Sequence, residues 1–175
     1  MILYHYTAIE LLSAIEREGL TKGEVAITPY DLENAVWLTT DQQSDGHGLT
    51  DGGFIPEAEH ADLERRVGHE LSPIVRPDKR RVRIAVTIPS HDRKLKPWLP
   101  YADRRLTKEW LECLTKSGGG KAKAETWRIY LGTIPPARFR SIEVRDASGV
   151  YRPITAADRA EASTTAIDAN DTFQI

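Results

Sequence analysis

The strictest constraint on the fold lies at residues 82–88, where Val82, Ile84, Val86 and Ile88 alternate with Arg83, Ala85 and Thr87. A period of two sends the β-branched side chains to one face of a strand and the others to the opposite face, so this segment belongs in a sheet buried on one side. Residues 2–7, Ile-Leu-Tyr-His-Tyr-Thr, and 35–40, Ala-Val-Trp-Leu-Thr-Thr, mix aromatic and β-branched types in the manner of half-buried strands. A short strand is expected near Val25, Ala26 and Ile27, and longer ones at about 125–131 and 141–145, the last followed by a hairpin turn at 146–150.

Between the strands the signals are helical. Thr7 and Glu10 have the T-x-x-E spacing of a capping box, and Ala8, Leu11, Leu12 and Ile15 then form one apolar face that Gly19 ends. Residues 57–70 have a weaker helical pattern. A helix over about 104–116 carries Leu106, Trp110, Cys113 and Leu114 on one side and stops at Gly118, Gly119 and Gly120, and a short one is expected at 154–162. Residues 41–53, rich in Gly, Asp, Gln and Ser, read as a mobile loop that could act as a lid. Irregularly interspersed strands and helices, without βαβ periodicity or repeats, predict an α+β fold with one domain over residues 1–162 and a frayed tail over 163–175.

Charge is unevenly distributed. Residues 76–140 hold 17 Lys and Arg against 6 Asp and Glu, leaving 7 against 20 elsewhere, while the formal net charge is only −2. A basic middle of this kind suits contact with a polyanion or with the pyrophosphate of a dinucleotide. Cys113 is the sole cysteine, so no internal disulfide can form, and its place on an apolar helix face predicts packing. Neither a basic leader with an apolar run nor about 18 uninterrupted apolar residues occurs, from which a cytoplasmic protein without membrane contact is expected. His47, His60 and His69 lack the spacing of a zinc site, and the calcium-like start at Asp41 has Gly52 where a bidentate glutamate is needed, so no metal is expected.

Glu125 is the carboxylate best placed for chemistry. On a strand beginning at 125 it would share the face of Trp127, Ile129 and Leu131 and sit where that strand opens onto a cleft, whereas Glu143, between Ile142 and Val144, would turn into water. His5 on the first strand, an aromatic residue on the second and Glu125 opening a later strand follow one another in an order that resembles the His-aromatic-Glu type of ADP-ribosyltransferase. The tract from Ala124-Glu125-Thr126-Trp127 through Ile134-Pro135-Pro136 to Ile142-Glu143-Val144, with His5-Tyr6-Thr7 at the start, is similar to DNA-targeting toxins of that superfamily. About a third of the chain, residues 2–40 and 122–146, carries the likeness.

The resemblance implies a split β-sheet core with flanking helices and NAD as the substrate from which ADP-ribose passes to a protein or nucleic acid. It assigns catalysis to Glu125 and NAD binding to His5, Tyr6, Thr7, Trp37, Thr39 and Thr40. Trp37, Tyr6 and Tyr30 compete for the nicotinamide-stacking role, and Thr39-Thr40 resembles the hydroxyl pair of the Ser-Thr-Ser subclass. By the same analogy the setting is a toxin or a conflict between phage and host. In this chemistry His5 would donate to the adenosine ribose and Glu125 would stabilise the cationic sugar that forms as nicotinamide leaves. Two other functions suit the same residues: an NAD glycohydrolase, and an inactive binding module that holds nucleic acid or an acidic protein through its basic middle.

Overall fold

The structure, a computed structural model, describes residues 1–21, 23–28 and 31–165. Strand β1 (Ile2–Thr7) leads through a 3-10 turn at Ile9–Leu11 into α1 (Leu12–Glu18), and β2 (Glu24–Ala26) and β3 (Leu32–Thr39) follow. Beyond the loop come α2 (Glu57–Val67), β4 (Val82–Thr87), β5 (Leu95–Pro97), α3 (Trp98–Ala102), α4 (Lys108–Ser117) and α5 (Lys121–Ala124). The chain closes with β6 (Trp127–Leu131), β7 (Phe139–Arg145), β8 (Tyr151–Pro153) and α6 (Ala156–Thr164). The expected α+β class is what these elements form.

Seven strands lie in the order β5-β6-β3-β1-β4-β7-β8, with β2 paired to β3, and every pair is antiparallel. The pairing of β1 is lopsided. It is bonded to β4 along all six residues, from Ile2 opposite Thr87 to Thr7 opposite Val82, but meets β3 at one position, Tyr4 opposite Thr39. The sheet therefore consists of two halves that touch between β1 and β3.

Register assigns the faces, because directly opposed residues point the same way. Leu3, Val36, Leu38, Val82, Ile84, Val86 and Val144 share one face, where Ile9, Leu12 of α1 and Ala162 of α6 cover them. The opposite face of β3 and β6 carries Ala35, Trp37, Trp127 and Ile129, packed against Trp98 and Ala102 of α3, Ala124 of α5 and Leu111 and Leu114 of α4. On β1, β4 and β7 that second face holds Tyr4, Tyr6, Arg83, Ala85, Ser141 and Glu143 instead. Alternation at 82–88 thus gives a buried apolar face and a polar face that carries much of the chemistry.

Several expected boundaries move. Thr7 closes β1 and is buried, and the first turn is capped by Ala8 without a side-chain bond, so the Thr7/Glu10 capping box does not form. Strand pairing runs through Thr7 opposite Val82, and Ala8, extended at φ −83° and ψ 154°, takes the N-cap position, so Thr7 lies one residue too early to cap. The helix expected from 104 begins at Lys108, where the Thr107 hydroxyl accepts from the Trp110 amide at 3.2 Å. Its inner face is then Leu111 and Leu114, Trp110 is half-buried, and Cys113 is exposed and unpacked. The last helix does carry a full capping box, Thr155 with Asp158, and runs to Thr164, into the expected tail. Residues 166–175 of that tail lie outside the described residues.

Gly19 does end α1, at φ +86°, and a Cβ there would come within 2.3 Å of the Ile134 carbonyl. That close approach lets Leu20 pair with Ile134. Ile84 lies fully buried at the centre of the sheet. Ile84→Ala should cost about 2–5 kcal/mol, read as a lower urea midpoint at unchanged m-value.

Candidate active site

At the C-terminal end of β3 the chain meets the turn that precedes β6. The Thr39 hydroxyl lies 2.8 Å from that of Thr126 and accepts from the Asp41 amide at 3.0 Å. The Thr40 amide donates to the Thr126 carbonyl at 3.0 Å, and the Thr126 hydroxyl lies 2.7 Å from the Lys123 carbonyl. Between these anchors stands Glu125. It is the C-cap of α5 and exposed, with helical dihedrals of φ −64° and ψ −26°, so the expected strand begins two residues later and the parity placed on Glu125 does not apply. A short helix over Lys121–Ala124, with Ala124 buried, displaces the extended conformation there. Arg128 bonds the Glu125 carbonyl at 3.0 Å and that of Trp127 at 2.7 Å, which holds the backbone of the turn while the carboxylate projects into solvent.

His5 lies two strands away, on the face shared with Ile84 and Leu3, and is half-buried. Where β1 parts from β3, its Nδ1 is 2.9 Å from the Trp37 carbonyl. A carbonyl only accepts, so Nδ1 carries the proton and Nε2 is left as an acceptor, the reverse of the donor role expected for it. Burial lowers the His5 pKa, against the opposing effect of the carbonyl bond and with help from the positive charge of Lys79, which keeps the ring neutral.

The remaining expected residues divide between the two faces. Tyr6 points to the second face and donates to the Asp41 carbonyl at 3.0 Å; burial raises its pKa, as does the neighbouring Tyr151 phenol. Trp37 is packed against Trp98, 4.5 Å between centroids, and edge-on to Trp127 at 5.8 Å, so its ring is committed to the core. Thr7 is buried at the far end of β1 from Thr39. Tyr30 lies outside the described residues. The structure thus gathers Thr39, Thr40 and Glu125 through Thr126, places Tyr6 beside Asp41, and keeps Thr7 apart.

The loop at 41–53 brings to the site two residues, Asp41 and His47, that the sequence pattern raises only as metal ligands. His47, whose side chain is 5% exposed, is seated between the rings of Tyr6 and Trp127, at 6.1 and 6.3 Å between centroids. Trp127 Nε1 donates to His47 Nδ1 at 2.8 Å, so the proton of the neutral ring is on Nε2, facing the Asp41 carboxylate 3.3 Å away. Lys123 Nζ is bonded to the same Asp41 oxygen at 2.6 Å. Burial lowers the His47 pKa and Lys123 lowers it further, outweighing Asp41. For Asp41, burial acts upward but is overcome by Lys123 and the Gln43 amide, leaving the carboxyl below its usual range. A histidine inside a glycine-rich stretch directly after a strand was the available signal.

Two glycines make the closure sterically allowed. A Cβ on Gly119, at φ +97°, would stand 1.6 Å from the Gly46 carbonyl, and one on Gly48 2.2 Å from that of Ser117. Buried Ser44 and His47 make this segment a fastened strap in place of the expected mobile lid.

Part of the basic middle is neutralised by acids elsewhere in the chain. Arg83 pairs with Glu143, Arg105 with Glu33, Arg81 with Glu161 and Arg76 with Glu59. Among the described residues no group of three or more His, Cys, Asp and Glu is placed to hold a metal ion, and no helix is long and apolar enough to cross a membrane. The chain matches no family model, and comparison with curated proteins and with solved structures returns no match.

With folded pKa values of His5 and His47 below the ordinary 6.5, the unfolded chain binds more protons just beneath that pH. Stability should therefore fall as pH drops through 6.5 toward the folded values. Denaturation at pH 7.5 to 5.5 should show this slope, reduced in His47→Asn by at most about 1.4 kcal/mol per pH unit. A second expectation concerns the strap: Gly119→Ala should raise proteolytic cleavage within 41–53 at least several-fold, because the new Cβ expels the Gly46 carbonyl.

Proposed function

We propose that the protein is an NAD-dependent mono-ADP-ribosyltransferase acting on a macromolecular target. The observation that carries the reading is the presentation of Glu125: an exposed carboxylate on a turn whose backbone is tied to Thr39 and Thr40 on one side and to Arg128 on the other. Further support comes from the parting of β1 and β3, which agrees with the split sheet that the family resemblance implies, and from His5 lying in that parting.

The residues fit the chemistry. As the bond from nicotinamide to ribose lengthens, positive charge grows on the sugar, and a carboxylate against the ribose hydroxyls stabilises it. Glu125 can swing toward those hydroxyls because, among the described residues, only its backbone is held. It can then take the proton of the incoming nucleophile. The Nε2 of His5 would accept from a hydroxyl of the adenosine ribose, and Thr40, exposed at the end of β3, would supply a further polar contact. Thr39, Tyr6 and Trp37 hold this end of the sheet in shape: Thr39 through Thr126, Tyr6 through the Asp41 carbonyl, and Trp37 through the rings behind it. Lys121 on α5 gives the approach a positive charge for a pyrophosphate, while Lys123 is paired with Asp41.

Nicotinamide release from NAD, measured with and without cell extract, tests the proposal. Release should require extract and fall about 10²–10³-fold in Glu125→Gln, the scale for losing one preorganised electrostatic partner. His5→Ala should act mainly on KM. Equal release without extract would instead identify water as the acceptor and a glycohydrolase, while absence of NAD binding and consumption under all conditions would refute the reading.

A further inference from the structure

A groove of about 270 Å³ lies on the second face of the sheet, over β1, β4 and β7, lined by Ile2, Tyr4, Gln42, Arg83, Ala85, Arg140, Ser141 and Glu143. Its shape follows from register. Tyr4, Ala85 and Ser141 form one row across three strands and Tyr6, Arg83 and Glu143 the next, so the small Ala85 makes the floor between larger neighbours. Strand alternation would send adjacent residues of β7 to opposite faces, yet both Arg140 and Ser141 line the groove. The cause is a β-bulge. Ala85 faces Ser141 while the next residue, Val86, faces Phe139, which leaves Arg140 as the extra residue and turns it onto the face of Ser141. Bulges re-aim side chains in this way and are common beside binding sites.

The polar groups of the groove fall into committed and open ones. Arg83, 12% exposed, is locked: its Nε and Nη2 each lie 2.7 Å from Oε2 of Glu143, its Nη1 bonds the Gln42 carbonyl, and its guanidinium lies 4.2 Å from the Tyr151 ring centroid. Its charge and that of Glu143 cancel. Glu143, expected to face water, is instead oriented by this bond, and its Oε1 has no hydrogen-bond partner among the described residues. Nor have the hydroxyls of Tyr4 and Ser141, and Arg140 has no ion-pair partner among them. The groove therefore offers one unspent cation, one preorganised acceptor, two hydroxyls and an aromatic wall.

Arg140 calls for an anion, but a bare anion would meet the open oxygen of Glu143, so the ligand has to bring hydroxyl donors as well. We propose that this groove is a second ligand site that takes a sugar phosphate, with the phosphate on Arg140 and Ser141 and the sugar hydroxyls on Glu143 beside Tyr4. It stands independently of the NAD reading, since none of its residues belongs to the Glu125 turn.

Ribose 5-phosphate, ribose and inorganic phosphate, titrated separately by NMR on the full chain, test the site. Ribose 5-phosphate should bind at least tenfold more tightly than either fragment. Arg140→Ala, a change at an exposed side chain, should reduce its affinity at least tenfold, toward that of ribose. Glu143→Gln should bring it toward that of inorganic phosphate, and Glu125→Gln should leave it unchanged. Binding of ribose 5-phosphate no tighter than of its fragments, unchanged affinity in Arg140→Ala, or loss of binding in Glu125→Gln would each overturn the proposal, whatever the outcome of the nicotinamide assay.

Discussion

The two halves of the sheet are joined at β1, and the bond between the His5 ring and the Trp37 carbonyl holds the place where backbone pairing stops. Beyond Tyr4 and Thr39 the ladder between β1 and β3 does not continue. A carbonyl left without a partner in this half-buried setting would cost about 1–3 kcal/mol, and the imidazole Nδ1 supplies the missing donor. Because β1 is fully paired to β4, the ring position is inherited from the most strongly patterned strand of the chain. Everything on either side, the α1–α6 layer and the aromatic layer of α3 to α5, takes its position from that junction.

A second junction lies where the strap over residues 41–53 closes. Asp41 receives Tyr6 on its carbonyl and Lys123 on its carboxylate, with His47 Nε2 3.3 Å from the same oxygen, so one residue links β1, β3, α5 and the loop. The arrangement is polar and partly buried, which makes each member depend on the others: the neutral form of His47 is required by the Trp127 donor, and the Asp41 charge is retained by Lys123. Two surfaces flank this knot. On one side is the Glu125 turn, and on the other the groove over Ala85, bounded by Gln42 from the same loop. One closed loop thereby shapes both candidate sites.

How much was legible depended on whether a residue's role follows from its own periodicity. The alternation at 82–88, the aromatic strands around His5 and Trp37 and the stop at Gly19 are local and turned out as expected. Thr7 has the capping-box spacing, but pairing with Val82 carries the strand through it and the turn starts one residue later, at Ala8. At Glu125 a turn of two residues before Trp127, the first with helical dihedrals, undoes a parity argument that would hold on any strand. Helical spacing puts Cys113 on the face of Trp110 and Leu114, but packing against Trp98 and Ala124 turns Leu111 and Leu114 inward and leaves Cys113 exposed.

By itself the sequence determined the α+β class, which face of the central strands is apolar, and the chain order of His5, Thr39 and Glu125, since these depend on the period of side chains and on covalent order. The tertiary structure alone decided the tautomer of His5, the closure of His47 beneath the strap, the bulge that turns Arg140 beside Ser141, and the pairing of Arg83 with Glu143. Each of these joins residues 32 to 80 positions apart or counts one residue across a ladder, and such relations arise from tertiary packing and register between strands, which no local pattern encodes.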